Sequence, residues 1–516
     1  MRPLPDLGLE LQRLRAPLPI WHAAVDRGAW STAARAVAQR GGRMVSMWGV
    51  DRGGSAGVAA CAAYALPEGL VWVELAIADA DVGFPDLSRA FACAARMQRA
   101  MADLSGLQAQ GSTDTRPWLA HGLWGAGPAP LKHGAAPTSA SPGTLPADYP
   151  FVRVEGDAVH EIAVGPVHAG IIEPGHFRFS VVGEKVLRLE EHLGYVHKGI
   201  ERRFTELAPL DAYRLAGRIS GDSTVACAWA YAMALESAWR IEVPERATWL
   251  RALMLERERI ANHLGDLGAL GNDAALAFGL AQFSRLREDW QRLSGTAFGH
   301  RLMMDAVVPG GVAQDLTAPL RDRMLAQCDA IEREVQTLRT VYDEHAGLQD
   351  RFLGTGRVTP SLAAQLGLTG LAGRASGQAF DLRRDQRWAP YDRFSVAVAT
   401  QQGGDVAARV ALRFDEVFES LRLVRALCAG LPQGGWRTEP RAPAQASFGA
   451  GWVEGWRGEV LVALEVGAEG RIVRCHGHDP SWQNWPVLEH AVIGNIVPDF
   501  PLINKSFNLS YSGHDL

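Results

Sequence analysis

Two hexads carry the residue types and spacing on which chemistry turns. Arg218-Ile219-Ser220-Gly221-Asp222-Ser223 precedes an apolar run that reads as a helix from Thr224 to Arg240. Asp479-Pro480-Ser481-Trp482-Gln483-Asn484 lies near the C-terminal end. Cysteines at Ser220, Ser223, Ser481 and Asn484 would place two thiolates at a helix start and two on a distant loop. That is a four-sulfur site for a soft transition metal. The hydroxyls and amide actually present are hard, weak, neutral donors, and they cannot hold nickel as thiolates do. The serines have a second reading as helix caps, because Ser at an N-terminus satisfies free backbone N–H groups. Asp222 there also suits the helix dipole.

Other chemistry-bearing residues are sparse. His168 lies in Gly165-Pro166-Val167-His168, and His176 follows it. His263 and His300 fall on expected helices without a partner at i+4, so they do not form a zinc pair. The cysteines, Cys61, Cys93, Cys227, Cys328, Cys428 and Cys475, show no CxxC spacing and read as reduced, buried thiols. Gly53-Gly54-Ser55 and Gly403-Gly404-Asp405 lack the Lys-Ser/Thr of a phosphate loop and the strand–GxGxxG–helix context of a dinucleotide site. No NAD or flavin site is legible, so an NAD-linked activity would belong to a whole complex.

The elements that must position these residues follow from composition and periodicity. The 516 residues are 47% hydrophobic and 21% charged, as in a soluble globular protein of roughly two to four domains. The net charge of -5 gives no global basic field for nucleic acid. No segment reaches the roughly 20 apolar residues of a membrane helix. The start, Met1 to Asp6, lacks the basic-then-apolar order of a signal peptide, and the expectation is a cytoplasmic chain.

Met44–Val50, Val58–Leu66 and Leu70–Ala78 read as strands, and Phe84–Leu107 as a helix. Together they make a small α/β unit over residues 1–125. A Gly/Ala/Pro-rich linker occupies 126–150, with six prolines from Pro128 to Pro150. Residues 151–516 form the second unit. Val152, Val154, Phe177, Phe179 and Val181 alternate with polar residues as in a half-buried antiparallel sheet. Helices are expected at 188–207, 212–240, 245–270, 275–299, 316–346 and 402–430. Strands at 458–466 and 471–476 form a hairpin, and 496–516 reads as polar and irregular. The fold class is therefore α+β: an α/β unit, then a mainly helical unit with an antiparallel β portion.

Several segments in order resemble the large subunits of group 4 nickel–iron hydrogenases and their relatives, the quinone-site subunits of respiratory complex I. Arg218 to Ser223 matches the first nickel motif, RxCGxC, except at both cysteines. Asp479 to Asn484 matches DPCxxC in its Asp-Pro only. Gly183-Glu184 with Gly194 to Glu201 resembles GE…GYxHRGIE, and Glu256 to Leu264 resembles ExxRIxxHL. Gly310-Gly311-Val312, Arg374 to Gly377, Gly403-Gly404-Asp405 and Glu454 to Glu459 continue the match. The unit before the linker resembles the small partner subunit of complex I, which group 4 hydrogenases carry fused at the N-terminus. Phe84-Pro85 and the following helix carry that part of the match.

The resemblance implies roles. Glu201 matches the glutamate that passes protons to or from the metal, a role suited to a buried carboxyl with a raised pKa. Its other reading is an ion pair with an arginine such as Arg202. Arg457 matches an arginine over the iron's diatomic ligands, and its other reading is a pair with Glu454 or Glu459. His168 matches a loop histidine that contacts the quinone head, but the Asp-Tyr pair of the quinone site is absent near Ser220-Gly221. The implied partners are an iron–sulfur small subunit, antiporter-like membrane-arm subunits and quinone, with the chain peripheral on the inner face of the cell membrane. The iron–sulfur cluster belongs to the partner, and no nickel–iron centre is expected here. A second reading is a non-catalytic scaffold coupling that partner to a membrane module. The segment from Trp485 to Leu516 follows the second motif, where the family normally cleaves; it reads as folded or docking sequence at Ile503 to Leu509 and is expected to be retained.

Overall fold

The computed structural model describes residues 6–54, 57–78, 83–124, 127–135, 148–168 and 172–516. The first unit is a five-stranded sheet, built from β1 (Gln12–Arg13), β2 (Ile20–Val25), β3 (Arg43–Asp51), β4 (Val58–Leu66) and β5 (Gly69–Ile77). Its strand order is β1-β2-β5-β4-β3, with only β2 and β5 parallel. The crossover is α1 (Arg27–Gln39), which Asp26 caps by accepting from Ala29 N at 2.8 Å. The three expected strands are present; β1, β2 and α1 escape the sequence reading, although Trp30, Ala33, Ala34 and Val37 of α1 follow helical spacing.

The helix expected from Phe84 begins only at Ala94, as α2 (Ala94–Ser105). Phe84–Pro85 instead forms a short strand, β6, paired with β7 (Ala109–Gln110). Phe84 N donates to Gln108 O, and Leu87 N donates to the Gln98 side chain. Tertiary partners therefore take the backbone groups that a helix would have used. The expected linker is irregular at 127–135 and 148–150; residues 125–126 and 136–147 lie outside the described set.

The second unit opens with β8 (Val159–Val164), β9 (His176–Val182) and β10 (Lys185–His192), an antiparallel sheet in the order β10-β9-β8. Phe177, Phe179 and Val181 are fully buried, as their alternation predicts. Val152 and Val154 are in no strand, and Val152 is exposed. The helix expected over 188–207 is a correction. β10 runs to His192, and only α3 (Ile200–Phe204) is helical. Gly194 at φ 98° and Gly199 at φ 64° take left-handed backbone that a continuous helix cannot accommodate.

Next come α4 (Tyr213–Ala216), α5 (Thr224–Trp239), α6 (Glu245–Asp273) and α7 (Ala277–Phe298). After the two-residue strands β11 (Val307–Val308) and β12 (Gly311–Val312) follow α8 (Ala318–Glu344), α9 (Ala346–Phe352), α10 (Pro360–Leu366), α11 (Gly370–Ala375), α12 (Leu382–Asp385) and α13 (Val406–Gly430). A three-stranded sheet, β13 (Ser447–Glu454), β14 (Glu459–Val466) and β15 (Ile472–His478), precedes α14 (Ser481–Ala491). The last helices are α15 (Phe500–Phe507) and α16 (Tyr511–Asp515); the tail is folded around Ile503 to Leu509 as expected, but helical rather than irregular. Phe500, Ile503, Phe507, Leu509 and Tyr511 are buried, so this segment is core rather than surface.

Every residue of α5 is buried, consistent with its Ala-rich, all-round apolar sequence. It lies directly against β13. A Cβ added at Gly451 would sit 1.9 Å from Ala230 O, and one at Gly449 2.3 Å from Ala234 O. The face of the first sheet that carries Trp48, Cys61 and Trp72 joins one continuous apolar core with α5 and β14. The seam also carries polar ties. Arg52 bridges Glu74 and Glu465 at 2.8 Å, Arg474 Nε donates to Gly49 O at 2.9 Å, and Ser46 Oγ meets His476 Nε2 at 2.7 Å. The fold class is α+β. No helix among the described residues is long and apolar enough to cross a membrane.

Candidate functional site: a closed polar cluster at the start of α5

The two hexads meet. A 3-10 turn, Gly221–Ser223, leads into α5, and Pro480 leads into α14. Ser220 Oγ donates to Asp222 Oδ1 at 2.7 Å and lies 2.9 Å from Ser510 Oγ. Ser510 N in turn donates to Ser481 Oγ at 2.9 Å, so a tail residue bridges the hexads. Ser223 Oγ lies 3.2 Å from both Arg457 Nη1 and Trp456 Nε1. Asn484 turns to the loop before α11, accepting from Thr369 N at 3.0 Å and donating to Thr369 O at 3.2 Å. Ser220, Ser223, Ser481 and Asn484 are all buried. Arg218, by contrast, points outward to Asp305.

At the centre Arg457 grips Asp222 with two parallel bonds, 2.8 Å and 2.5 Å, the strong bidentate form. Its Nε donates to Asn508 O at 2.5 Å, and the guanidinium lies 4.1 Å from the Trp456 ring centroid. Burial pushes the Asp222 carboxyl up, but Arg457 outweighs it and the group sits at about 2. The expected pairing of Arg457 with Glu454 or Glu459 is thus replaced by Asp222. Glu454 faces Arg374 instead, and Glu459 faces Arg43.

The serines do not cap α5: neither side chain bonds a free N–H there. Glu258 on α6 does this, accepting from Val225 N at 2.7 Å and Ala226 N at 3.2 Å. Burial holds Glu258 up at about 8. Asp222 serves Arg457 rather than the helix end.

Glu201 on α3 is buried 2.7 Å from His476 Nδ1 and 3.1 Å from Arg474. Arg202, its expected partner, donates to Ala135 O instead. Burial raises the Glu201 carboxyl, yet Arg474 and His476 together bring it down to about 2. The raised pKa expected of a proton carrier is therefore reversed. Glu201 is a fixed anion whose line of bonds runs through His476 to Ser46 on β3.

His168 is half-buried in the β8–β9 loop, its ring 5.6 Å from Phe177 and 6.3 Å from Tyr511. It makes no bond to the serine cluster, and among the described residues its Nε2 has no partner. His176 belongs to β9 rather than to that loop. His263 is held by Glu416 at 2.8 Å. All six cysteines are free and buried.

The tail closes the cluster from one side. His514 stacks on Trp482 at 3.9 Å, Asp515 Oδ2 accepts from Val196 N, and Leu516 O accepts from Lys198 N at 2.9 Å. The sequence does not single out Ser510, Glu258 or His476 for this site. Glu258 falls inside the Glu256 to Leu264 segment and the other two in no motif, and no spacing signals the contact; chain folding brings them in. Three hydroxyls and an amide do not fit a nickel–iron centre; Ser510 and the Arg457–Asp222 pair bond the serine hydroxyls, while Asp479 Oδ2 stays buried without a partner among the described residues. The arrangement ties the start of α5 to the tail.

Residues 273–449 match the family model described as respiratory-chain NADH dehydrogenase, 49 Kd subunit. Hydrogenase-4 component G of Escherichia coli (strain K12) is 30% identical, over 86% of this chain and 78% of its own length. The chain belongs to the family of group 4 hydrogenase large subunits and their complex I counterparts. Formate hydrogenlyase subunit 5 of the same organism is 32% identical over 73% of this chain, which spans 66% of that relative. A chain in the structure of the membrane-bound sulfane sulfur reductase, an archaeal respiratory membrane complex, shares the family fold. It has a TM-score of 0.65 over 70% of this chain and 99% of that chain, at 24% identity.

Proposed function

We propose that this protein is a peripheral subunit of a membrane-associated, complex I-like or energy-converting-hydrogenase-related oxidoreductase complex. It pairs with an iron–sulfur small subunit and docks through partners on a membrane arm, on the cytoplasmic side. Its own nickel site is degenerate, so the chain contributes no hydrogenase chemistry. It couples the iron–sulfur partner to the membrane module as a scaffold. Residues 1–125 serve as the unit akin to the small complex I partner subunit, and 151–516 as the hydrogenase large-subunit-like unit.

The observation that carries this reading is the closed cluster. All four former ligand positions are hydrogen-bonded within the protein or filled against Ser510, and Arg457 is committed to Asp222. A scaffold needs that region rigid, whereas a catalytic metal site needs it donor-rich with one position open.

The test is purification of the full chain with its neighbours from mildly solubilised membranes, followed by metal and sulfide analysis. Iron and acid-labile sulfide in a co-purifying small subunit, without stoichiometric nickel, is the expected result. Stoichiometric nickel overturns the degenerate site, and purification without any iron–sulfur partner overturns the pairing.

A further inference from the structure

A wide cleft of about 1370 Å³ opens between the two units, walled by β3, the turn after β4, α10 and the segment leading into α12. Glu454 and Asp381 lie at its base. Behind them is a buried set of charges drawn from five elements. Three guanidiniums, Arg259 on α6, Arg374 on α11 and Arg383 on α12, face four carboxyls. The carboxyls are Glu256 on α6, Asp381 before α12, Glu416 on α13 and Glu454 on β13.

Three of the carboxyls are well compensated. Asp381 holds Arg383 with two bonds, at 3.0 and 2.7 Å, and also lies 3.6 Å from Arg374. Glu256 takes Arg383 Nη1 at 3.0 Å, the Tyr391 hydroxyl at 2.7 Å and Ser420 Oγ at 2.7 Å. Glu416 receives Arg374 at 2.7 Å and His263 at 2.8 Å. Glu454 has the poorest share: one bond from Arg374 Nη1 at 3.1 Å and one from Leu382 N at 3.1 Å. Arg259, the nearest further cation, spends its bonds on the backbone carbonyls of Glu454 and Gly455. The neighbouring charges are already paired. Glu459, opposite on β14, takes Arg43, and Arg384 at the cleft wall takes Asp385.

A buried cluster with one carboxylate more than its cations is unfavourable, and the least compensated carboxyl relieves it by holding a proton. We infer that Glu454 is a proton-binding site at the base of the inter-unit cleft, loaded from cleft solvent and held between Arg374 and the start of α12. Burial first and the neighbouring Asp381 second push its carboxyl up, Arg374 opposing, to about 7. Asp381, Glu256 and Glu416 are all held below the ordinary carboxylate range. Burial lowers His263, which stays neutral and adds no cation. The site therefore changes charge near neutral pH, three residues from Arg457 and the closed cluster.

Infrared spectroscopy of the full-length protein carrying carbonyl-labelled glutamate tests this, with Glu454→Gln and Asp381→Asn alongside. In the wild type, a protonated-acid carbonyl band disappears as pH rises through about 7. The wild-type-minus-Glu454→Gln difference isolates that band, because Glu258 remains in both proteins. Asp381→Asn removes the nearest negative charge, so the midpoint moves acid by about one pH unit. On mixing with D2O the band shifts at once, since the cleft supplies exchangeable protons. A band that titrates unchanged in Glu454→Gln overturns the proposal. So does an Asp381→Asn midpoint that does not move, which also decides the matter if Glu454→Gln fails to fold. A carbonyl that stays unshifted in D2O overturns loading from the cleft.

Discussion

Glu201 shows how far a residue's neighbours can invert its chemistry. Its carboxyl sits at about 2 because Arg474 and His476 outweigh its burial. A folded-state pKa below the unfolded value near 4.5 stabilises the fold at every pH above that value. This stability is lost as pH falls from about 4.5 toward about 2. Glu201→Gln is expected to cost about 3 kcal/mol at neutral pH, because it leaves a buried guanidinium without its anion. Thermal melts at pH 7 and pH 3 check this. The variant should melt several degrees lower at pH 7, and the gap should narrow at pH 3. The sequence places Glu201 in a motif, but its partners lie on β15, more than 270 residues away. No periodicity carries that information.

At the scale of elements, the reading from sequence succeeds where a pattern is long. α6, α7, α8 and α13 lie where their apolar spacing puts them, and β13 to β15 are anchored by the expected hairpin. It fails where tertiary pairing overrides local preference, at Phe84–Pro85 and along β10. At the tail it anticipates folded sequence around Ile503 to Leu509 but not the two short helices, which are held by burial rather than by propensity. The α5–β13 contact is the element-scale feature with the sharpest consequence. Gly451→Ala drives a Cβ against Ala230 O on a fully buried helix, and neither backbone can retreat. The expected loss exceeds about 4 kcal/mol, enough to deplete soluble protein. Gly221→Ala is the matched control: nothing lies within 4 Å of its added Cβ, and expression and melting temperature should stay near wild type.

At the scale of the molecule, the closure of the cluster depends on a distant stretch of chain. Removing residues 508–516 takes away Ser510, the Asn508 carbonyl that Arg457 uses, and the His514 ring on Trp482. This truncation is expected to melt well below the full chain and to bind a hydrophobic dye. It should still bring down no nickel, because the donors left behind remain oxygens and an amide. Metal analysis and a dye-binding melt on the same preparation check both halves. That Ser220, Ser223, Ser481 and Asn484 form one set is legible from the hexads alone. That the chain's own tail seals the space between them is not, because no motif spacing links Ser510 or His514 to the hexads.

The seam between the units has a consequence of its own. Its continuous apolar core and polar ties, the part-buried Arg52–Glu465 pair and the buried Ser46–His476 contact among them, have the character of an interface between separate subunits. The peptide between the units adds a tether, and a tether mainly raises the effective concentration of one half around the other. Cutting the backbone near Gly134 should therefore leave two fragments that migrate together until denatured, and two separately synthesised halves should find each other.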